Sequence, residues 1–286
     1  MILALDQLMS LFDLAGNVAI VTGATRGIGR GIVERLCDHG AFVVVSSRNQ
    51  MECEATAREL NERFAAGNPV AIGIAADLLD IASLKSLASG TLAHFGRIDT
   101  LVCNAAILPF IGPSADTPPD IFNSIIEGNV QNTFRLIHEV LPQMRARKSG
   151  SIVIIGSVSG VNAAVLNMAY GVSKAAQSHM AKSLAAEVVA DNVRVNCIAP
   201  GLIRSQASKP LWEDPKVLDQ YLSGVPMHRI GEPDDIAGGV IFLISNAGSY
   251  VTGATIAIDG GCSTIPVPPK NSVELDAVYS AAHHHT

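Results

Sequence analysis

Short apolar runs of strand length alternate with stretches of helical period along most of the chain. Residues 18–21 read as a first strand. After a glycine-rich turn, Ile28, Ile32, Val33 and Leu36 recur at helical spacing, and Gly40 ends that helix. A second strand is expected over 41–45, a charged amphipathic helix over 51–64 and a third strand over 70–75. A helix over 81–95 and a strand over 98–103 follow. Thr117-Pro118-Pro119-Asp120 has the look of a helix start, with a capping hydroxyl, prolines in the first turn and an early acid. The helix it opens runs to about residue 147. Then come a strand over 152–155, a long helix over 169–190, a strand over 193–198, a helix from Pro233 through Ser245 and a closing strand over 255–258.

Seven strands separated by helices imply right-handed crossovers and a parallel sheet. The strands are nearly unbroken apolar runs, the pattern of a sheet covered on both faces. The expected fold is therefore an α/β, Rossmann-type sheet in the order 3-2-1-4-5-6-7. No linker or repeat divides the sequence. One unit over 16–262 is the simplest organisation, with an N-terminal arm over 1–15 and a C-terminal extension over 263–286. Residues 202–226 break the rhythm and are long enough to form a lid. The three consecutive His of the tail, His283-His284-His285, read as a tag remnant or solvated end and not as a metal site.

Composition narrows the function classes. Of 286 residues, 48% are hydrophobic and only 16% charged, which excludes a disordered chain. Mean hydropathy is +0.32, yet uninterrupted aliphatic and aromatic runs reach only about five residues, so no membrane span is expected. Twenty basic against 26 acidic residues give a net charge of −6 with no basic stripe, which argues against nucleic acid as a partner. Cys37, Cys53, Cys103, Cys197 and Cys262 are scattered without a C-x-x-C pair and read as small buried hydrophobes in a reducing cytoplasm. Residues 1–14 lack the features of a secretory signal.

Two clusters carry candidate chemistry. Thr22-Gly23-Ala24-Thr25-Arg26-Gly27-Ile28-Gly29 lies between the first strand and the first helix. Glycines there allow a tight turn and let backbone approach a pyrophosphate at the positive end of a helix. The spacing is G-x-x-x-G-x-G and not the general dinucleotide fingerprint. The second strand ends Val45-Ser46-Ser47-Arg48-Asn49, with no acid before Glu52. A carboxylate at that place would select a ribose hydroxyl; Arg48 and Arg26 instead suit a 2′-phosphate, so NADP(H) is expected over NAD(H). In the second cluster, Tyr170 and Lys174 share one helical face four residues apart, and Ser157 follows the fifth strand, where open α/β sheets bind ligands. The set looks like a carbonyl-polarising site.

With these motifs in this order, the chain resembles the short-chain dehydrogenase/reductase superfamily over about residues 16–261. Asn129, Ser157, Tyr170 and Lys174 match its catalytic tetrad, and Pro200-Gly201-Leu202-Ile203 its motif after the sixth strand. Ser46-Ser47-Arg48 and the stretch 199–204 look most like NADP(H)-dependent carbonyl reductases of the dehydrogenase/reductase member 4 type. The resemblance implies hydride transfer between NADP(H) and a ketone, aldehyde or secondary alcohol, and a homotetramer. Tyr170 is then the acid/base. Bringing a phenol from about 10 to about 7 takes roughly 4 kcal/mol, which Lys174 and a cationic nicotinamide are expected to supply. Ser157 donates to the carbonyl oxygen, Lys174 also bonds the nicotinamide ribose, and Asn129 holds a water linking Lys174 to solvent. The cofactor set comprises Gly23, Thr25, Arg26, Gly27, Ile28, Gly29, Ser47, Arg48, Asp77, Leu78, Asn104, Ala105, Tyr170, Lys174, Pro200, Gly201, Ile203 and Ser205. Within it, Asp77 meets the adenine edge, Asn104 and Ala105 line the ribose, and Ile203 closes over the carboxamide.

Two departures from the family are visible. Ala106 stands where Asn-Ala-Gly is usual, and Ser205 replaces a frequent Thr. The substrate pocket is expected between residues 107–110, residues 158–168 and the lid with Trp212. Its apolar lining favours a hydrophobic substrate. The alternatives are a 3-oxoacyl-thioester reductase, for which Arg204, Lys209, Lys216 and Arg229 would have to form a docking face, a non-catalytic dinucleotide sensor, and a scaffold that binds no nucleotide. The apolar segment 236–258 suggests subunit contacts.

Overall fold

The structure is a computed structural model that describes residues 11–65 and 67–264. Its seven strands are β1 (Val18–Thr22), β2 (Phe42–Ser46), β3 (Ala71–Gly73), β4 (Thr100–Cys103), β5 (Gly150–Ile155), β6 (Val193–Pro200) and β7 (Thr255–Ile258). All neighbours pair in parallel, in the order β3-β2-β1-β4-β5-β6-β7, as expected. The strand order reverses between β1 and β4, and that is where open parallel sheets leave a ligand crevice at their carboxyl ends.

Alternate residues of each strand face two separate cores. Val21, Val45, Val153 and Ile198 pack under α1 (Gly27–Asp38), α2 (Gln50–Phe64) and α8 (Pro233–Ile244). Ile20, Val44, Leu101, Ile152 and Val195 pack under α3 (Ile81–Phe95), α5 (Thr133–Arg147) and α6 (Met168–Val188). Burial on both faces is why these strands carry no polar alternation. The described part of the N-terminal arm joins the first core through Leu14, whose N–H bonds the His39 carbonyl at 3.0 Å. The His tail lies outside the described residues.

Four expectations change. β3 is only three residues long, because Asn61 and Gln50 side chains take the backbone groups at its two ends: Asn61 Oδ1 accepts from Val70 and Ala71, and Gln50 Oε1 from Ala75. The helix expected from Thr117 begins at Pro119 as α4 (Pro119–Ile126), and Thr117 does not cap it. Each proline forces the residue before it to extended backbone, so Pro118, at ψ 137°, ends up as the cap. Between α4 and α5 the chain widens into a π-helical segment, Glu127–Asn132, where a continuous α-helix was expected. The lid is not wholly irregular: Asp214 Oδ1 accepts from Lys216 N–H at 2.8 Å and starts α7 (Pro215–Leu222).

The apolar face of α8, expected to meet another subunit, is buried in this chain's own core, where Gly31 of α1 lies against Pro233. Of the segment 236–258, β7 keeps alternate residues exposed.

Candidate active site

The glycine turn is built by exclusion. A Cβ on Gly29 would lie 2.2 Å from the Gly23 carbonyl oxygen, and Gly27 adopts a φ of +55° with Ser205 Cβ 3.1 Å from where its own Cβ would be. Only bare backbone fits there. The turn is anchored across the switch point by Thr22, whose Oγ1 accepts from the N–H groups of Asn104 and Ala105, both at 3.0 Å. Asn104 Nδ2 donates to the carbonyls of Thr22 (2.8 Å) and Gly23 (3.1 Å). The side chain of Asn104 is thus committed to holding the turn, which leaves the backbone of 104–105 to line the crevice.

Helix α1 opens on this turn without help from side chains. Arg26 is its extended N-cap, makes no capping bond, and no acid follows in the first turn. Helices α2, α3 and α7 are capped by Asn49, Asp80 and Asp214, and α8 by a Glu232–Asp235 capping box. The first N–H groups of α1, their dipole and the exposed Arg26 suit an anion, so a dinucleotide pyrophosphate fits the residues present. Thr25 and Ile28 lie partly buried in the same turn. At the end of β2, Arg48 is exposed and pairs with no acid among the described residues. Ser47 lies against Cys53, with Oγ 3.3 Å from Sγ.

Past β3, Asp77 Oδ1 accepts from Leu79 N–H at 2.9 Å, an acid used to shape its own loop; the cap of α3 is Asp80. Leu78 is a core residue whose carbonyl accepts from Asn132 Nδ2. After β6, Gly201 passes so close to Asp259 that a Cβ would sit 2.8 Å from its Cα. Pro200 ends the strand opposite Ile258. Ile203 is buried against Gly231, and Ser205 Oγ lies 3.1 Å from Ser208 Oγ, beside the glycine turn.

The second cluster joins the half-buried Ser157 and Tyr170 to a fully buried Lys174. Ser157 follows β5, and its Oγ accepts from Ser159 N–H at 3.1 Å beside the Tyr170 phenol. Lys174 is 2% exposed; its Nζ sits 5.4 Å from the Tyr170 ring centroid and donates to the Ile155 carbonyl and Gln177 Oε1, both at 2.9 Å. Burial lowers the Lys174 pKa to about 8, against an opposing push from the Cys197 and Cys103 thiols. Burial also pushes the Tyr170 phenol up to about 12, with Ser157 pulling the other way. In the protein alone, loss of water around the phenol outweighs the pull of Ser157.

Asn129 rides on the π segment. Its amide pairs with Ile107 in both directions (N–H to Oδ1 2.8 Å, Nδ2 to carbonyl 3.0 Å) and donates to Ser173 Oγ at 3.1 Å. The Gln177 carboxamide also links Asn129 to Lys174, its Nε2 donating to the Asn129 carbonyl at 2.6 Å. Sequence reasoning missed Gln177. The signal was present, since it lies three residues past Lys174 and seven past Tyr170, a polar side chain on the same face of α6.

The loops flanking Tyr170 are joined by the Gly112 N–H bond to the Leu166 carbonyl, 2.7 Å, and they leave Leu108, Val161 and Val165 exposed. Trp212 does not face this side. Its indole N–H donates to the Ser205 carbonyl, Arg204 lies 5.0 Å over its ring, and it lines a cleft of about 630 Å³ with Gly27, Arg30 and Pro233. Among the described residues no helix is long and apolar enough to cross a membrane.

Known proteins are similar to this chain over most of its length. A family model described as enoyl-(acyl carrier protein) reductase matches residues 23–263. Dehydrogenase/reductase SDR family member 4 of Bos taurus is 39% identical over 250 residues, 87% of this chain and 88% of that protein. The Pseudomonas aeruginosa RhlG/NADP active-site complex is 35% identical, covering 89% of this chain and 99% of its own, with a TM-score of 0.82. A gluconate 5-dehydrogenase from Burkholderia cenocepacia in complex with NADP and tartrate is 29% identical over 91% of this chain and all of its own (100%), with a TM-score of 0.85.

Proposed function

The chain belongs to the short-chain dehydrogenase/reductase family, and from that premise we propose that it transfers hydride between NADP(H) and a hydrophobic ketone, aldehyde or secondary alcohol. The observation that carries the reading is the meeting of Ser157, Tyr170 and Lys174 at the carboxyl end of β5, two strands from β1 and the uncapped start of α1 at the switch point. Residues 16–262 act in it as one dinucleotide-binding and catalytic unit.

Bound dinucleotide supplies the hydride. The glycine turn and the α1 N-terminus hold its phosphates, while Arg26 and Arg48 meet the 2′-phosphate where no carboxylate stands. The preference for NADP(H) is supported by this basic, acid-free corner and by the NADP complexes of similar structures. Ser157 donates to the substrate oxygen, and Tyr170 gives that oxygen its proton in reduction or takes it in oxidation. The Lys174 ammonium favours the phenolate, all the more in a site that excludes water. A hydrophobic substrate is supported by Leu108, Val161 and Val165 at the mouth.

The acyl-thioester alternative is weakened by charge pairing near the lid. Arg204 pairs with Glu232, Lys209 with Glu213 and Arg229 with Asp235, which leaves little free positive charge to dock an acidic carrier. We also propose a homotetramer using the half-exposed β7 edge, and a reducing, cytoplasmic setting consistent with the five free cysteines.

Steady-state turnover of a carbonyl and alcohol panel with NADPH and NADH tests the reading. Tyr170→Phe should lower kcat roughly 1,000-fold with NADPH binding retained. Turnover near wild type in that variant, or no turnover of any carbonyl by the native protein, overturns it.

A further inference from the structure

We infer that Gln177 is a positioning residue that holds the Lys174 ammonium in place and in its charged state, a role that rests on the acid/base reading of Tyr170 and Lys174. Gln177 is 1% exposed and sits between two groups whose chemistry orients it. An ammonium only donates and a backbone carbonyl only accepts, so the carboxamide has one satisfactory orientation. Oε1 faces Nζ at 2.9 Å, and Nε2 faces the Asn129 carbonyl at 2.6 Å and Thr133 Oγ1 at 3.2 Å. Thr133 is the first residue of α5 and Asn129 belongs to the π segment, so Gln177 ties the lysine to the widened turn before α5.

The surroundings give this contact weight. Among the described residues Lys174 Nζ has two acceptors, and the other is the Ile155 carbonyl. The titratable groups facing it are the Tyr170 phenol from α6, the Cys103 thiol from β4 and the Cys197 thiol from β6. No carboxylate acts on it among the described residues. In so dry a place the acceptor that Gln177 provides decides how far the charge survives as pH rises. A carboxamide also passes no proton along at neutral pH, as water or a hydroxyl does. Gln177 therefore fixes the charge and itself passes no proton toward Asn129.

The test is an NMR titration of lysine-labelled protein, with the Lys174 signal assigned by its loss in Lys174→Met. In Gln177→Met the acceptor is gone and the Lys174 midpoint, about 8 in the native protein, should fall by about one pH unit. In Gln177→Glu a carboxylate takes its place and the midpoint should rise by about the same amount. The basic limb of the pH–rate profile of ketone reduction should follow both shifts, down and then up, which a purely structural role would not produce. Midpoints equal to native in both variants, or shifts of one sign, overturn the inference. If the Met variant fails to fold, the Glu variant decides alone: an unmoved midpoint means that side chain 177 does not touch the ammonium. The titration needs no turnover, so a wrong substrate class shows in the carbonyl panel and leaves this result intact.

Discussion

Helices α1 and α8 pack side by side on one face of the sheet and begin in opposite ways. α8 opens with Pro233 inside a capping box, Asp235 Oδ2 accepting from Glu232 N–H at 2.8 Å. α1 opens on Arg26, with no side-chain cap and no acid in its first turn. Capping satisfies the orphan N–H groups of a helix and adds about 1 kcal/mol of stability. α8 takes that stability for itself. α1 leaves the same groups open, and the open end is the one at the switch point. Between these two helices the stability of a cap is forgone at the end that faces the crevice, although α4 and α6 also start without a side-chain cap.

The comparison breaks most completely at Gly29. Gly29→Ala places a Cβ on the Gly23 carbonyl oxygen, so the turn must open, and NADPH affinity measured by fluorescence titration should fall about 100-fold. A smaller effect sharpens the contrast. Arg26→Asp gives α1 the cap that it lacks; NADPH affinity should drop about tenfold while unfolding stability rises by about 1 kcal/mol. Opposite signs in the two measurements are the signature; a variant that gains stability and binds NADPH as tightly as before would remove the contrast. The smallest effect belongs to α8. Asp235→Ala should lower the urea midpoint by an amount worth about 1 kcal/mol and leave NADPH affinity alone.

Much of this was legible in the sequence, for reasons that particular elements make plain. α3 (Ile81–Phe95) and β7 (Thr255–Ile258) fall at their expected bounds because a clean periodicity ends there on a turn residue or a polar one. The glycine turn and the Tyr170–Lys174 pair could be read because their spacing is itself the chemistry. The start of α4 was misread because two prolines in a row were weighed as helix-starting residues, while their steric hold on the preceding residue prevailed. α7 was missed although Asp214-Pro215 is a cap followed by a first-turn proline. The high pKa of Tyr170 had no local signal, since dehydration is set by what the rest of the chain packs around the phenol. Asn129 was found, yet its contacts were not, because a π turn leaves no mark in hydrophobic spacing.

That wide turn, Glu127–Asn132, has a consequence for how this chain tolerates change. Deleting one residue from it would let the helix rewind to its ordinary pitch, and the widened turn that presents Asn129 would be gone. Asn129 would lose its pairing with Ile107. Substitutions can be absorbed one side chain at a time, but a change of length cannot. In that stretch, the number of residues is a stricter requirement than most of their identities.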